Sequence, residues 1–402
     1  MPRILPINIT RPLRNKVCIF PEREVCNLTS SDINSIIRRN PYSFYNIFYK
    51  PYIKRLEGQK KYNAIKRQFQ KFKRKNILET DENPGYYIYN VIQNEKEQAG
   101  IVAKIPFEEV LNGHIINLEY PSAKNKQEKQ DLFDQTCFIS KPVNIVHENN
   151  DVLEQIIEKH KSKIPLFEFT KSDGITYEIW KVAEEKDIQT IKEAYANMKD
   201  FFLADNKSQF DALLELYHKK NHEDNFSGSE SFNYFPAFLI PKSHVEVYEY
   251  KKGIVPDTQM ELSRLIKEME KDFIVEKITN DEIEEKKGQI LLFSKEGKYS
   301  LKLREKIDPR FPDSYIFDKY LYPALLRTIK NFDQEALSYC SGDRSLKCVE
   351  NQLNKGNCKI GFIVYPATMD EIEFLAKSQN QISDNSIYLQ PRLLKGLFIY
   401  EL

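Results

Sequence analysis

The chain has 402 residues and carries 60 Lys and Arg against 59 Asp and Glu, so its net charge at pH 7 is +1. This balance argues against a protein whose whole surface binds nucleic acid or membrane through positive charge, although it is compatible with a local basic patch. With 25 Phe, 23 Tyr and only 13 Gly, the composition is that of a packed globular protein and not of a disordered one.

The N-terminal sequence MPRILPINITRPLRNK has charges and prolines where a signal peptide needs an apolar segment, and the longest apolar runs are far shorter than a membrane span. The six cysteines show no C-x-x-C spacing, which favours reduced thiols over disulfides or a zinc site. We therefore expect a cytoplasmic protein with no membrane partner and no metal site.

Two helices are predicted in the first part of the chain. The segment LTSSDINSIIRRN should end at Asn40, because the residue before a proline is displaced from helical angles. The stretch Lys54–Lys75 contains ten Lys or Arg and one acid, Glu57. Such a helix either contacts nucleic-acid phosphates or presents a solvated basic face while it packs on the core. The second interpretation is favoured by apolar residues at helical spacing, namely Tyr62, Ile65, Phe69 and Phe72.

The middle and the end of the chain mix hairpins with helices. GYYIYNVIQ and QAGIVAKIPF, joined by the turn NEKE, predict a hairpin, and a polar stretch then runs to about Asp131. Helical and strand patterns alternate from DVLEQIIEKHKS onward, and GQILLFSKEGKYSLKLR predicts a second hairpin. This mixture predicts an α+β fold with mixed sheets and flanking helices. We place the boundary between an N-terminal domain, 1–235, and a C-terminal domain, 236–402, after the loop-like segment NHEDNFSGSESFN.

The segment FFLADNKSQFDALLELYHKK predicts a strand, a tight polar turn and a helix in immediate succession. Ser208 and Asp211 are spaced as a helix N-cap and its acid three residues later. A turn that leads from a strand into a helix presents free backbone N–H groups and a favourable dipole to an anion. This turn is either a phosphate-binding loop or a connector whose N–H groups are capped by its own side chains.

Other site motifs are missing from the sequence. There is no P-loop, no dinucleotide-binding fingerprint and no nucleophile elbow. His218 and His222 are four residues apart, as in the zinc-binding motif H-E-x-x-H, but this sequence lacks the motif's glutamate and has Lys219 and Lys220 between the histidines. A solvated helix end is therefore the preferred interpretation.

Five segments resemble, in the same order, segments of the bacterial and archaeal family catalogued as domain of unknown function 1015 (DUF 1015). They are NPYSFYNIFYKP, AGIVAKIPFEEVLNGHIINLEY, TYEIWKV, FFLADNKSQFDAL and SDNSIYLQPRLLKGLFIYEL. The fourth stands where the family has its I-A-D-G-H-H-R signature. That signature is similar to motifs of the ParB-like superfamily, which includes nucleotide hydrolases and free-serine kinases, and it implies a ParB-like N-terminal core.

The resemblance also implies which residues form a site and what it binds. By this analogy the ligand is ATP or ADP with Mg²⁺, and Asp205 and Glu119 are the catalytic residues. The positions implied to bind phosphate or nucleotide are Asn206, Lys207, Ser208 and Ser386.

The sequence departs from the family pattern at the polar signature. Of D-G-H-H-R only Asp205 remains, so the glycine, both histidines and the arginine are lost. In the family's H-E-x-T segment Glu119 remains, while Leu118 and Pro121 replace the histidine and the threonine. The scaffold segments persist while the signature is lost, which predicts a catalytically degenerate member that retains binding of a nucleotide, a metabolite or a partner protein.

Two alternatives stay open. The first is an active kinase of a small hydroxyl compound such as free serine, with Asp205 and Glu119 handling the metal or the proton and Lys207 contacting phosphate. The second is nucleic-acid binding through the basic helix at 54–75, which the neutral overall charge makes the less favoured reading.

Overall fold

The computed structural model describes residues 2–23, 28, 30–117, 126–204, 207–221, 228–249, 251–255, 261–279, 283–330, 332, 337–340, 346–378, 380 and 387–402. These residues form two compact units. The first is Met1–Asn117, Pro121–Val245 and Pro391–Leu402, and the second is Leu118–Tyr120 and Glu246–Gln390. Helices and antiparallel strand pairs occur in both, so the fold is α+β, as predicted.

The first unit is built around an eight-stranded mixed sheet with the order β5-β10-β7-β11-β4-β3-β9-β8. Its strands, and those of two small two-stranded sheets, are β1 Thr10–Pro12, β2 Leu78–Thr80, β3 Tyr86–Gln93, β4 Lys96–Pro106, β5 Ile115–Asn117, β6 Phe138–Ile139, β7 Val143–His147, β8 Phe167–Thr170, β9 Thr176–Val182, β10 Phe201–Leu203, β11 Tyr234–Pro241 and, at the C-terminus, β20 Tyr400–Glu401. Its helices are α1 Ser30–Arg39, α2 Tyr45–Phe48, α3 Pro51–Lys54, α4 Gly58–Arg74, α5 Glu108–Leu111, α6 Lys126–Thr136, α7 Asp151–Lys161, α8 Glu185–Ala196 and α9 Lys207–Asn221.

The predicted hairpin is confirmed as β3 and β4, which pair antiparallel. The two residues of its turn, Asn94 and Glu95, both have positive φ, of 51° and 64°. A two-residue turn with both residues in this region matches the twist of the flanking strands. The side chains of β3 from Tyr86 to Val91 are all buried, because this strand lies in the middle of a sheet that is covered on both faces.

Helix α4 confirms the predicted core stripe, since Tyr62, Ile65, Phe69 and Phe72 are all buried. Its basic stretch is divided between α3 and α4.

Two other helices have capping side chains at their N-termini. Asn150 accepts hydrogen bonds from two backbone N–H groups at the start of α7, and Thr368 forms a capping box with Glu371 in the second unit.

The second unit contains a six-stranded sheet with the order β14-β16-β15-β18-β13-β17 and a separate pair, β12-β19. The strands are β12 Glu246–Glu249, β13 Lys251–Ile254, β14 Phe273–Ile278, β15 Gln289–Ser294, β16 Gly297–Leu303, β17 Leu337–Cys340, β18 Ile360–Ile363 and β19 Ile387–Gln390. The helices are α10 Leu262–Met269, α11 Asp313–Ile316, α12 Tyr322–Thr328, α13 Leu346–Asn354 and α14 Met369–Lys377, with one π-helical segment, Phe317–Leu321. Strands β15 and β16 form the second predicted hairpin.

The two units differ from the predicted division at residue 235 in two ways. That boundary falls inside β11, whose residues pair with β4 on one side and β7 on the other, so cutting there would split the central sheet. The C-terminal segment Pro391–Leu402 belongs to the first unit, where Tyr400 and Glu401 pair with β6. The polar stretch before Asp131 also contains a helix, α6, that the sequence pattern did not indicate.

Candidate functional site

The candidate site lies at the edge of the first unit's sheet where β5 and β10 end. These two strands are parallel neighbours, and Leu203, the last residue of β10, pairs with Asn117, the last residue of β5. Strand β7 runs antiparallel to β10 on its other side. The carboxyl ends of β5 and β10 therefore meet the amino end of β7, and ligands of α/β sheets commonly bind beside the carboxyl ends of parallel strands.

Lys207 is the first residue of α9 and lies in the interior of the protein. Its Nζ donates a hydrogen bond to Asp211 Oδ1 over 2.6 Å, one helical turn later. The side chains of Lys207 and Asp211 are only 6% and 11% exposed. The family resemblance implied that the ammonium group of Lys207 binds phosphate, but in the structure this group is paired with the carboxylate of Asp211.

Ser208 does not cap α9, which corrects the sequence interpretation. The helix begins at Lys207, so Ser208 lies within its first turn, and its Oγ accepts a hydrogen bond from Lys129 Nζ on α6. The carboxylate of Asp211 accepts a hydrogen bond from Lys207 and, among the described residues, none from the backbone. Ser208 has a tertiary partner because α6 packs along α9 and brings Lys129 to this turn, whereas the partner of Asp211 lies on the same helix.

A second ion pair joins α6 and α9 further along. Lys219 Nζ donates to Asp134 Oδ2 over 2.7 Å, and Lys220 Nζ lies 3.4 Å from Asp134 Oδ1. Burial raises the pKa of Asp134, but the hydrogen bond from Lys219 and the charge of Lys220 outweigh it, so the pKa lies below its usual range. The carboxylate therefore stays ionised and holds the two helices together at neutral pH.

Residues of β7 and of the segment before it contact the end of β10 and the start of α9 at this edge. Gln209 Nε2 donates to the carbonyl oxygen of Lys141 over 2.7 Å, and the N–H of Ala204 donates to the carbonyl oxygen of Asn144 over 3.0 Å. Lys141 is only 1% exposed, so a second lysine of this edge is buried in the protein. Asn144 Nδ2 lies 3.5 Å from the carbonyl oxygen of Pro391, which brings the C-terminal segment to the same edge.

Buried polar atoms without a protein partner are places where a ligand or a water molecule can bind. Two such atoms belong to the residues just described. Asn144 Oδ1 and Asp211 Oδ2 are both buried, and neither has a hydrogen-bond partner among the residues that the structure describes.

Of the six residues that the resemblance assigned, the structure brings together Lys207 and Ser208, both in the first turn of α9. The other four, Asp205, Asn206, Glu119 and Ser386, lie outside the described residues. Sequence reasoning missed Lys141 and Asn144, which no motif marks. It also missed the ion pair of Lys207 with Asp211, although their i,i+4 spacing on a predicted helix was a visible signal.

The family described as "Protein of unknown function (DUF1015)" matches residues 4–331 of the chain, about four fifths of its length. The chain belongs to the DUF1015 family. The resemblance seen in the sequence segments is confirmed by this match. No curated protein matches the sequence of this DUF1015 protein.

Three solved structures are similar to this DUF1015 protein. A conserved hypothetical protein from Pyrococcus furiosus has 12% identity and a TM-score of 0.41, covering 75% of this chain and 94% of its own. A free serine kinase in complex with AMP has 11% identity and a TM-score of 0.41, covering 75% and 91%. SbnI with a C-terminal truncation, from Staphylococcus aureus, has 9% identity and a TM-score of 0.38, covering 73% and 85%.

The described part of the DUF1015 protein contains neither a metal-binding cluster nor a membrane-spanning helix. Within it, no three His, Cys, Asp or Glu side chains are grouped closely enough to hold a metal ion. Over the same residues, no helix combines the length and the apolar character that crossing a membrane requires. His222 of the histidine pair is outside these residues, and the ring of His218 packs against Tyr217.

Proposed function

We propose that this DUF1015 protein is a catalytically degenerate member of its family that binds a nucleotide or a similar small anion at the β5–β10 edge without transferring phosphate. Binding is supported by the strand–turn–helix arrangement. Helix α9 has 15 residues and begins directly at this edge, and the first N–H groups of a helix have no partner within it. The partial positive charge of the helix N-terminus adds to their attraction for phosphate.

The proposal that the protein does not transfer phosphate rests on one observation, the buried ion pair of Lys207 with Asp211. A kinase needs cations that are positioned to stabilise the negative charge on the transferred phosphoryl group. To reach a ligand, Lys207 would have to leave Asp211 buried without a partner, and breaking a buried pair in this way costs about 3–5 kcal/mol. Among the described residues at the start of α9, the other side chains can hydrogen-bond a phosphate but carry no positive charge.

Binding and turnover can be separated in one experiment. The purified protein is tested by thermal shift with ATP, ADP and AMP, each with Mg²⁺, because a ligand that binds only the native state raises the melting temperature. The same samples receive free serine, and formation of ADP and phosphoserine is followed. We expect a shift with at least one nucleotide and no product.

Two variants of the ion pair sharpen this test. Asp211→Asn releases the charge of Lys207 and keeps the size of the side chain, so we expect it to tighten nucleotide binding. Lys207→Met removes the charge and should leave binding close to that of the wild type, because the paired lysine contributes little to it. Turnover by the wild-type protein that is lost in Asp205→Ala would refute the proposal, and so would the failure of every nucleotide to bind.

A second candidate function is an active phosphotransferase that acts on a small hydroxyl compound such as free serine. The observation that favours it is the parallel pairing of β5 with β10, because Glu119 and Asp205 each follow the end of one of these strands by two residues in the sequence. In this reading the two carboxylates hold Mg²⁺ or accept the proton of the hydroxyl group. Magnesium-dependent phosphoserine formation that disappears in both Glu119→Gln and Asp205→Asn is the result this alternative requires.

A further inference from the structure

The strongest unexplained feature of the first unit is the outer face of α3 and α4. From Gly58 to Leu78 the sequence has no acidic residue, although the whole chain has 59 acidic residues against 60 Lys and Arg. An ordinary solvated helix face carries charges of both signs, usually paired at i,i+4. The absence of acids over this length therefore needs another explanation than solubility.

The basic residues of α4 concentrate on one side of the helix. Lys60, Arg67, Lys71 and Arg74 are all exposed. At 3.6 residues per turn these positions fall within an arc of about 60°, and they extend over about 21 Å of the helix axis. The opposite side is the buried stripe that contains Phe69, so this basic face is turned away from the core.

The charges of this face are not neutralised within the protein. None of the four residues forms an ion pair with an acidic residue that the structure describes. Two basic side chains at the margins of the same helix do have partners, Lys61 with Glu128 and Lys73 with Glu401. Acidic residues thus neutralise the flanks of α4 and leave the row at its centre positive.

Neighbouring residues enlarge this positive region and add an aromatic ring to it. Lys54 and Arg55 are exposed and form no ion pair with a described acid, and Tyr52 on α3 is 50% exposed. Burial, followed by the charges of Lys71 and Lys75, lowers the pKa of Lys50, as expected where positive charges are close together. Exposed cations together with an exposed aromatic ring are the combination that binds single-stranded nucleic acids, by contacts to phosphates and by stacking of bases.

We propose that the outer face of α3 and α4, formed by Tyr52, Lys60, Arg67, Lys71 and Arg74, binds single-stranded nucleic acid through its phosphate backbone, without sequence preference. An anionic membrane surface fits less well. A helix that lies on a membrane inserts an apolar face, and the apolar face of α4 is buried in the core. The residues between the cations of the outer face are polar, among them Gln59, Asn63 and Gln70.

The test is fluorescence anisotropy of a labelled 20-nucleotide single strand, titrated with the full-length protein at several salt concentrations. Non-specific binding of this kind has a Kd of about 10⁻⁴–10⁻⁶ M at physiological salt, and log Kobs falls with log salt by about 0.7 per contacted phosphate. We expect a slope near −3 for four contacts. The variant with Lys60→Gln, Arg67→Gln and Lys71→Gln should flatten this slope by about 2 and weaken binding more than tenfold at low salt.

A matched control carries the same change of charge elsewhere. Lys186→Gln, Arg264→Gln and Lys267→Gln remove two lysines and one arginine that are exposed and form no ion pair with a described acid. We expect this control to bind the oligonucleotide within about twofold of the wild type. Both variants should keep the wild-type melting temperature, since every changed residue is exposed.

Three results would overturn the proposal: no binding of the oligonucleotide, equal loss of binding in the two triple variants, or binding to phosphatidylserine vesicles in preference to the oligonucleotide. The proposal does not depend on the nucleotide site. The triple variant of α4 should therefore keep the thermal shift that the wild type shows with adenine nucleotides.

Discussion

Asp313 predicts an unusual dependence of stability on pH. This residue begins α11 in the second unit and is only 1% exposed. Its Oδ2 accepts a hydrogen bond from the N–H of Gly288 over 2.7 Å, but its Oδ1 is buried without a partner among the described residues. Burial raises its pKa from 3.8 to about 6, because the carboxylate loses its hydration and gains a single hydrogen bond.

Asp313 changes stability with pH in the opposite direction to most carboxylates, whose pKa is lowered on folding. Between the unfolded and the folded pKa, the folded state binds more protons than the unfolded state, so the free energy of unfolding falls as pH rises. The contribution of Asp313 is fully present below pH 3.8 and is lost as pH rises through about 6. At about 1.36 kcal/mol per pKa unit, the whole effect amounts to about 3 kcal/mol.

Asp313→Asn removes this titration and keeps the shape of the side chain. At pH 7.5 we expect the variant to be more stable than the wild type by about 1–3 kcal/mol. The upper figure is the full cost of ionising Asp313, and the lower one allows for an amide N–H group that finds no acceptor where Oδ1 lies. The assay is urea unfolding of both proteins at intervals from about pH 4 to pH 7.5, followed by the difference between them at each pH.

A matched control is Asp308→Asn. Arg310 donates hydrogen bonds to Asp308 and lowers its pKa to about 2, so the carboxyl group of Asp308 is almost fully ionised in the folded protein above pH 4. We therefore expect the difference between the control and the wild type to be nearly constant over the range. A difference between Asp313→Asn and the wild type that is equally constant would show that burial of Asp313 does not favour its protonated form, and the reasoning would be wrong.

Three further predictions concern the first unit. Asp211→Ala should lower the free energy of unfolding by about 3–5 kcal/mol in urea unfolding because it leaves Lys207 buried without its partner, whereas the double change Lys207→Met with Asp211→Leu should recover most of the loss. Gly100→Ala should destabilise the sheet by at least about 1–3 kcal/mol, since an added Cβ would lie 2.5 Å from the carbonyl oxygen of Leu239; an equal urea midpoint for variant and wild type would contradict this. Burial raises the pKa of Asp187, but hydrogen bonds from Lys159 and His160 bring it below the usual range, so the stabilisation it gives is present at neutral pH and is lost as pH falls. Asp187→Asn should accordingly lower the free energy of unfolding more at pH 7 than at pH 3. A larger loss at pH 3, measured by urea unfolding at both pH values, would show that ionised Asp187 does not stabilise the protein.

The sequence predicted the elements whose information is local. The hairpin of β3 and β4 has its turn and both strands within about twenty residues, and the stripe of α4 repeats at helical spacing. Strand β5 was missed because Ile115–Asn117 is three residues long and is held by β10, far along the chain. The return of Pro391–Leu402 to the first unit was missed for the same reason, since its partners are near the beginning and the middle of the sequence.

At the candidate site, the sequence predicted the order of the strand and the helix correctly, but the predicted helix cap at Ser208 was wrong. The change of hydrophobic period predicted a strand followed by a helix, and β10 and α9 confirm both elements. The partner of Ser208 is a lysine of α6, in a stretch that the sequence described only as polar. A side chain that can cap a helix can equally accept a bond from a neighbouring element, and only the packing of α6 on α9 decides between them.

Under the proposed function, the ion pair of Lys207 with Asp211 explains how a phosphate-binding turn could lose its chemistry and keep its fold. In the family signature the residues after the aspartate are G-H-H-R, which offer a close backbone approach and three side chains able to carry positive charge. Here Lys207 is the one cation at these positions, and Asp211, on the same face one turn later, neutralises it inside the protein. A buried ion pair of this kind stabilises α9 only while both partners remain, so under the proposed function α9 depends on a contact that would keep a ligand away from Lys207. If the proposal holds, phosphate transfer at this turn would require a change at Asp211 as well as the histidines and the arginine of the family signature.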